Sequence, residues 1–167
     1  MTRRTIAIIL GTVALIGAAV LAWNWFFDQK ARVRRTIEAA AAALEIKEGE
    51  SAAAGLAKVH KLEQLLDDSI DVRIRFNRQT YVGKHDRRDA MTGLAALRRA
   101  GVKLKVKLSD FNIAVDGDTA HAEAAATIEG RNGNRDISLQ EDVEFDLVRR
   151  NGEWLISRIA IRNFMEK

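Results

Sequence analysis

"DVEFDLVRRNGEWLISRIAI", residues 142–161, is the stretch whose reading decides the fold. Apolar and polar residues alternate on both sides of Asn151-Gly152. That dipeptide supplies the positive φ angles of a tight two-residue hairpin turn. Two antiparallel strands are expected, with Trp154 planted just past the turn. Upstream, Asp116-Gly117 and "GRNGN" at 130–134 are turn signals of the same kind. In "VKLKVKL", residues 102–108, Val102, Leu104, Val106 and Leu108 alternate with Lys103, Lys105 and Lys107. Four long strands joined by three short turns make an antiparallel meander.

Helices precede the meander. "DQKARVRRTIEAAAAALEI", residues 28–46, places Val33, Ile37, Ala40, Ala41 and Leu44 on one helical face. "KEGE" breaks the pattern, and Ser51 is positioned to cap a second helix with a stripe of Leu56, Val59, Leu62, Leu65 and Leu66. Asp67-Asp68-Ser69 ends it. "SIDVRIRF" from Ser69 alternates as a half-buried strand, and "QTYV" is a short partner ahead of Gly83. Ala90, Leu94 and Leu97 predict a third helix over 86–99, with Gly101 as its C-cap. Helices first and sheet afterwards point to an α+β domain with the helices on one face of the sheet.

The first 27 residues read differently. Thr5 to Phe27 carries no charge, and as a helix Ile6–Phe27 would span roughly 33 Å, enough for a hydrocarbon core of about 30 Å. Trp23, Trp25, Phe26 and Phe27 gather at its end, as interfacial aromatics do. A transmembrane anchor over 6–27 is expected, the alternative being a signal cleaved after Val20-Leu21-Ala22. Arg3 and Arg4 favour a cytoplasmic start, whereas Lys30, Arg32, Arg34 and Arg35 pull the other way. The short tail favours the bacterial inner membrane with the C-terminal part exported to the periplasm. The organisation is then a tail and anchor over 1–27, a linker and first helix over 28–50, and the rest of the domain over 51–167.

Composition removes several chemistries. With no cysteine there is no disulfide, thiol nucleophile or thiolate metal site. Beyond Arg4 the chain carries 25 Lys and Arg against 23 Asp and Glu, too balanced for nucleic acid as a partner. His60, His85 and His121 show no metal-ligand spacing, and no cofactor motif is present.

The order of two helices, a strand pair, a third helix and a long meander resembles the nuclear transport factor 2-like superfamily, in its SnoaL-like and ketosteroid isomerase-like branches. "YVGKHDRRDAMTGLAAL" at 81–97 and "FDLVRRNGEWLISRIAI" at 145–161 carry the resemblance. It implies a cone, a curved sheet wrapped over helices with a pocket between. Trp154, Phe145, Arg158 and Tyr81 are the expected pocket-lining residues, Trp154 also packing the cone. Family members commonly pair sheet to sheet, so a homodimer through the sheet or a membrane protein partner is expected.

Glu141 is in phase with Ile137, Leu139, Val143, Phe145 and Leu147, so strict alternation points it inward, where a carboxylate can act as a base. Arg158 and Arg162 share Trp154's phase and would pair with Glu141 inside the cone. Tyr81, the only tyrosine, would polarise a carbonyl. Asp110 and Asn112 flank Phe111 at another position that could face inward. Surface ion pairs, strand bulges and solvated ends account for the same residues without catalysis. Lys103, Lys105 and Lys107 form a basic row for an anionic lipid or, more simply, a solvated outer face. The expected role is non-catalytic binding or assembly. The alternatives are an isomerase or dehydratase using Glu141 and Tyr81, or a carrier of an apolar molecule.

Overall fold

The structure, a computed structural model, describes residues 28–161 except 77–78, 100–102 and 133–134; the side chains of 74–76, 79–81, 97, 132, 135 and 137 also lie outside the description. No helix among the described residues is long and apolar enough to cross a membrane. The expected span at 6–27, together with Gly101 and Arg162, falls outside them.

Helix α1 covers residues 28–44, followed by α2 (Ala52–Leu65), β1 (Leu66–Phe76), β2 (Gln79–Asp86) and α3 (Arg87–Arg99). The meander is β3 (Lys103–Asp116), β4 (Thr119–Asn132), β5 (Arg135–Arg150) and β6 (Glu153–Ile161). Together the strands form one curved sheet in the order β2-β1-β6-β5-β4-β3. Only β1 and β6 run parallel; the other neighbours are antiparallel. That parallel pairing brings the early strand pair beside the closing hairpin.

Local chemistry explains most of these boundaries. Ser51 Oγ accepts from the Ala54 backbone N–H at 3.2 Å and caps α2. Asn151 and Gly152 sit at φ 53° and 84°, the left-handed pair that a tight hairpin requires. Arg98 of α3 donates to the carbonyls of Ala43 (2.8 Å) and Glu45 (3.3 Å), satisfying acceptors that the end of α1 leaves without partners. It also pairs with Glu50, which Lys58 reaches at 2.5 Å.

The core lies between the helices and the inner sheet face. Val33, Ile37, Ile70, Leu147 and Ile156 are its largest fully buried side chains, each contributing about 1.5–3 kcal/mol by removal from water. Ala40, Ala41 and Ala43 of α1 and Ala120, Ala122, Ala124 and Ala126 of β4 are also buried, so this core is lined by many small side chains.

Three expectations about α2 and β2 are corrected. Leu56 is 59 % exposed, because it lies in the first turns of α2 beside a surface groove with Ala95 and Arg99. Leu66 is buried as the first residue of β1, not the last of the helix. Its backbone is already extended and pairs with Ile156. β2 continues through Gly83 to Asp86, the register running from Phe76↔Gln79 to Ser69↔Asp86.

Bulges in β3 and β6 break the strict alternation. In β3, Asp110 adopts φ 54° and the register jumps, so that Asp110 and Phe111 together face the single residue Ala124. Leu104, Val106 and Leu108 turn inward before the bulge, and Phe111, Ile113 and Val115 after it. Asp110 and Asn112 are consequently exposed on the outer face. In β6, Leu147 pairs with Ile156 and Asp146 with Arg158, leaving Ser157 as the extra residue. Trp154 and Ile156 face in ahead of it, and Ile159 and Ile161 behind it. Arg158 thus leaves the phase of Trp154 and stands on the outer face.

Candidate functional site

The cone encloses a cavity of about 270 Å³. α1 contributes Ile37, Ala40, Ala41 and Leu44; α3 contributes Ala90, Met91 and Leu94; the sheet contributes Phe145, Ala126, Ile159 and further aliphatic residues. Every described side chain that lines it is apolar. The space exists because small residues face each other: longer side chains at Ala40, Ala41, Ala90 and Ala126 would fill it. A water needs two to four polar partners, and the described lining side chains offer none. An engineered apolar cavity of about 150 Å³ accepts benzene, and this one has room for a larger, bicyclic hydrocarbon.

Of the sequence candidates, Phe145 lines the cavity. Glu141 shares its phase and is half-buried opposite Ala126, but it stands outside the lining. Tyr81 pairs with Ile74 in the β1–β2 ladder; its side chain is outside the description. Trp154 is buried without touching the cavity. Its indole Nε1 donates to Gln29 Oε1 at 3.0 Å, and Arg149 lies over its ring at 5.6 Å. It closes one end of the cone against the start of α1.

Arg158 belongs to a charged ladder across four strands of the outer face. Its Nη1 donates to Asp146 Oδ2 at 3.2 Å, and its Nε lies 3.9 Å from Asp71 Oδ2. His121 Nδ1 lies 2.7 Å from Asp146 Oδ1. Burial pushes the Asp146 carboxyl up, but the hydrogen bonds from His121 and Arg158 and the Arg158 charge outweigh it, holding it below the usual range. Asp67 follows the same logic more deeply buried. Desolvation raises it, yet the Arg150 fork (2.8 and 3.0 Å) and the Asp68 backbone hold it low. Both carboxylates are structural anions away from the cavity.

No group of three or more metal-ligating side chains occurs among the described residues. His60 sits beside Glu63 at 3.4 Å, and His85 is exposed on β2. In the lysine row, Lys103 pairs with Glu48, and Lys107 lies 3.9 Å from Glu129.

Met91, Ala126, Ile159 and Ile161 were missed as wall residues. Their signal was present for the last two: Ser157-Arg158, two polar residues between inward-facing apolar ones, marks the bulge that resets the phase. Ser109-Asp110 between Leu108 and Phe111 is the same signature.

Residues 51–160 match the sequence profile of the SnoaL-like domain. No curated protein sequence matches the chain. Among solved structures, one similar protein is Kfla4162 from Kribbella flavida, at TM-score 0.66 and 13 % identity over 82 % of this chain and 91 % of that one. A candidate dehydratase of the NTF2-like family from Streptomyces avermitilis aligns at TM-score 0.62 and 13 % identity, over 80 % and 94 % of the two chains. A candidate scytalone dehydratase from Novosphingobium aromaticivorans aligns at 0.59 and 13 %, over 83 % and 86 %. At these identities the likeness establishes the fold, and function rests on the cavity itself.

Proposed function

Since the chain belongs to the SnoaL-like domain family, we propose that it is a membrane-anchored, non-catalytic binding domain whose cone holds an apolar small molecule. The apolar lining of the cavity carries this reading. General acid–base catalysis needs a titratable group within hydrogen-bond reach of the substrate, and no described wall residue is titratable. A cone filled by Trp154, Phe145 and leucines would have favoured pure assembly, but the space is open. In this reading the uncharged residues 6–27 anchor the chain in a bacterial inner membrane, and the domain receives its ligand on the periplasmic side.

A naphthalene carrying a photoactivatable diazirine tests it, with the full chain in lipid nanodiscs and the labelled peptides identified by mass spectrometry. Saturable labelling around Ala40–Leu44, Met91–Leu94 and Phe145 is expected, and loss of it in the Ala41→Leu, Ala126→Leu double variant. Labelling confined to residues 5–27, or unchanged by the filling substitutions, sinks the proposal.

A second reading is a lyase of the dehydratase type, with Glu141 as base and Tyr81 polarising the substrate. It draws on the dehydratase assignments of two similar structures. It requires that Glu141→Gln abolish a turnover while leaving photolabelling intact.

A further inference from the structure

A second cleft, of about 380 Å³, opens where the start of α1, the end of α2 and the β5–β6 turn meet. Arg32 and Arg35 come to it from α1, Lys61 from α2 and Glu153 from the hairpin, with Trp154 at its wall. Three cations therefore share a concave surface with one carboxylate. Arg35 is also 3.6 Å from Asp28. Arg32 and Lys61 make no ion pair with any described residue. Like charges gathered in a cleft raise the local potential and favour an anionic occupant. Paired guanidinium groups suit the oxygens of a phosphate in particular.

Position narrows the source of that phosphate. Arg32 is five residues past Phe27, so even a fully extended chain holds its backbone within about 18 Å of the end of the apolar run. Cations this close to an anionic bilayer are drawn to its headgroups. The lysine row on β3 is at the other end of α1, where Ile46 bridges to Leu104, and its Lys103 and Lys107 already have carboxylate partners.

We propose that the cleft formed by Arg32, Arg35 and Lys61 holds the phosphate of an anionic lipid headgroup. The proposal rests on the anchor reading for residues 6–27. Lys61 is its distinguishing member, since only the fold carries it to the same place as the residues that follow the apolar segment.

Native mass spectrometry of the full chain in detergent tests it, with phosphatidylglycerol, phosphatidylcholine and inorganic phosphate titrated separately. Preferential binding of phosphatidylglycerol is expected. Each lost charge is expected to cost about fivefold in affinity, so Arg32→Gln with Lys61→Gln should weaken it by about 25-fold. Glu153→Gln should strengthen it by about fivefold on the same scale, a gain that a misfolded variant cannot mimic. Equal binding of phosphatidylcholine, or unchanged binding in the double variant, overturns the proposal. So does charge-dependent binding of inorganic phosphate without phosphatidylglycerol, which assigns the cleft to a free anion. Membrane fractionation of the full chain reads the anchor separately, so failure of one is distinguishable from failure of the other.

Discussion

The Trp154 indole donates to the Gln29 amide at 3.0 Å across 125 positions of sequence, with Gln29 only 2 % exposed. This bond ties the first turn of α1 to the closing hairpin. A buried donor left without its acceptor costs about 1–3 kcal/mol, so Gln29→Ala should lower stability by that order in denaturant unfolding. Gln29→Glu retains an acceptor and should recover part of the loss at neutral pH. Equal stability of Gln29→Ala and wild type would show that the bond contributes nothing.

The bulge at Asp110 predicts an unusual ordering of variants. Asp110 has φ 54°, which costs a β-branched residue far more than glycine. Asp110→Val should destabilise by about 1–3 kcal/mol, while Asp110→Gly should lie within about 0.5 kcal/mol of wild type. Thermal unfolding of the two variants decides it, and a Val variant as stable as the Gly variant would contradict the bulge geometry.

Acid should weaken the domain through two carboxylates. Asp67 and Asp146 are both held below their ordinary range in the folded state, so each binds protons more readily when unfolded. Their stabilisation is present above the ordinary aspartate value of about 3.9 and is lost as pH falls through the lower folded values. Asp67→Asn should therefore flatten the decline of stability below about pH 4 while costing about 1–3 kcal/mol at neutral pH. Urea unfolding across pH 2.5–7 reads both effects; a decline of the wild-type steepness in Asp67→Asn refutes the assignment.

Filling the cavity should stabilise the chain. Ala41→Leu and Ala126→Leu add apolar contacts to empty space, and cavity-filling changes commonly gain about 0.5–2 kcal/mol. A loss of stability in both variants would mean that the walls cannot accept the added volume. Thermal melts without ligand measure this independently of binding.

Much of the fold was legible because it is written locally. Asn151-Gly152 and Ser51 each act within a few residues, through backbone dihedrals or a single hydrogen bond, so composition sufficed to place them. The cavity wall was legible in part. Phe145 sits on β5, whose pairing with β4 runs without a register shift, and alternation carried it to the right face. Arg158 sits behind the Ser157 bulge, and the same rule carried it to the wrong one. Leu56 misled for a related reason, since helical periodicity reports a face without saying where along the helix a partner is present to cover it.

By itself the sequence determined the element types, the hairpin turns, the uncharged segment at 5–27 and the family. All of these depend on neighbours along the chain. The emptiness of the cone, the placement of Glu141 outside its lining, and the meeting of Lys61 with Arg32 and Arg35 were decided only by tertiary structure. Each is a relation between surfaces brought together from distant segments. One bulged residue or one facing pair of alanines changes such a relation without altering any local preference.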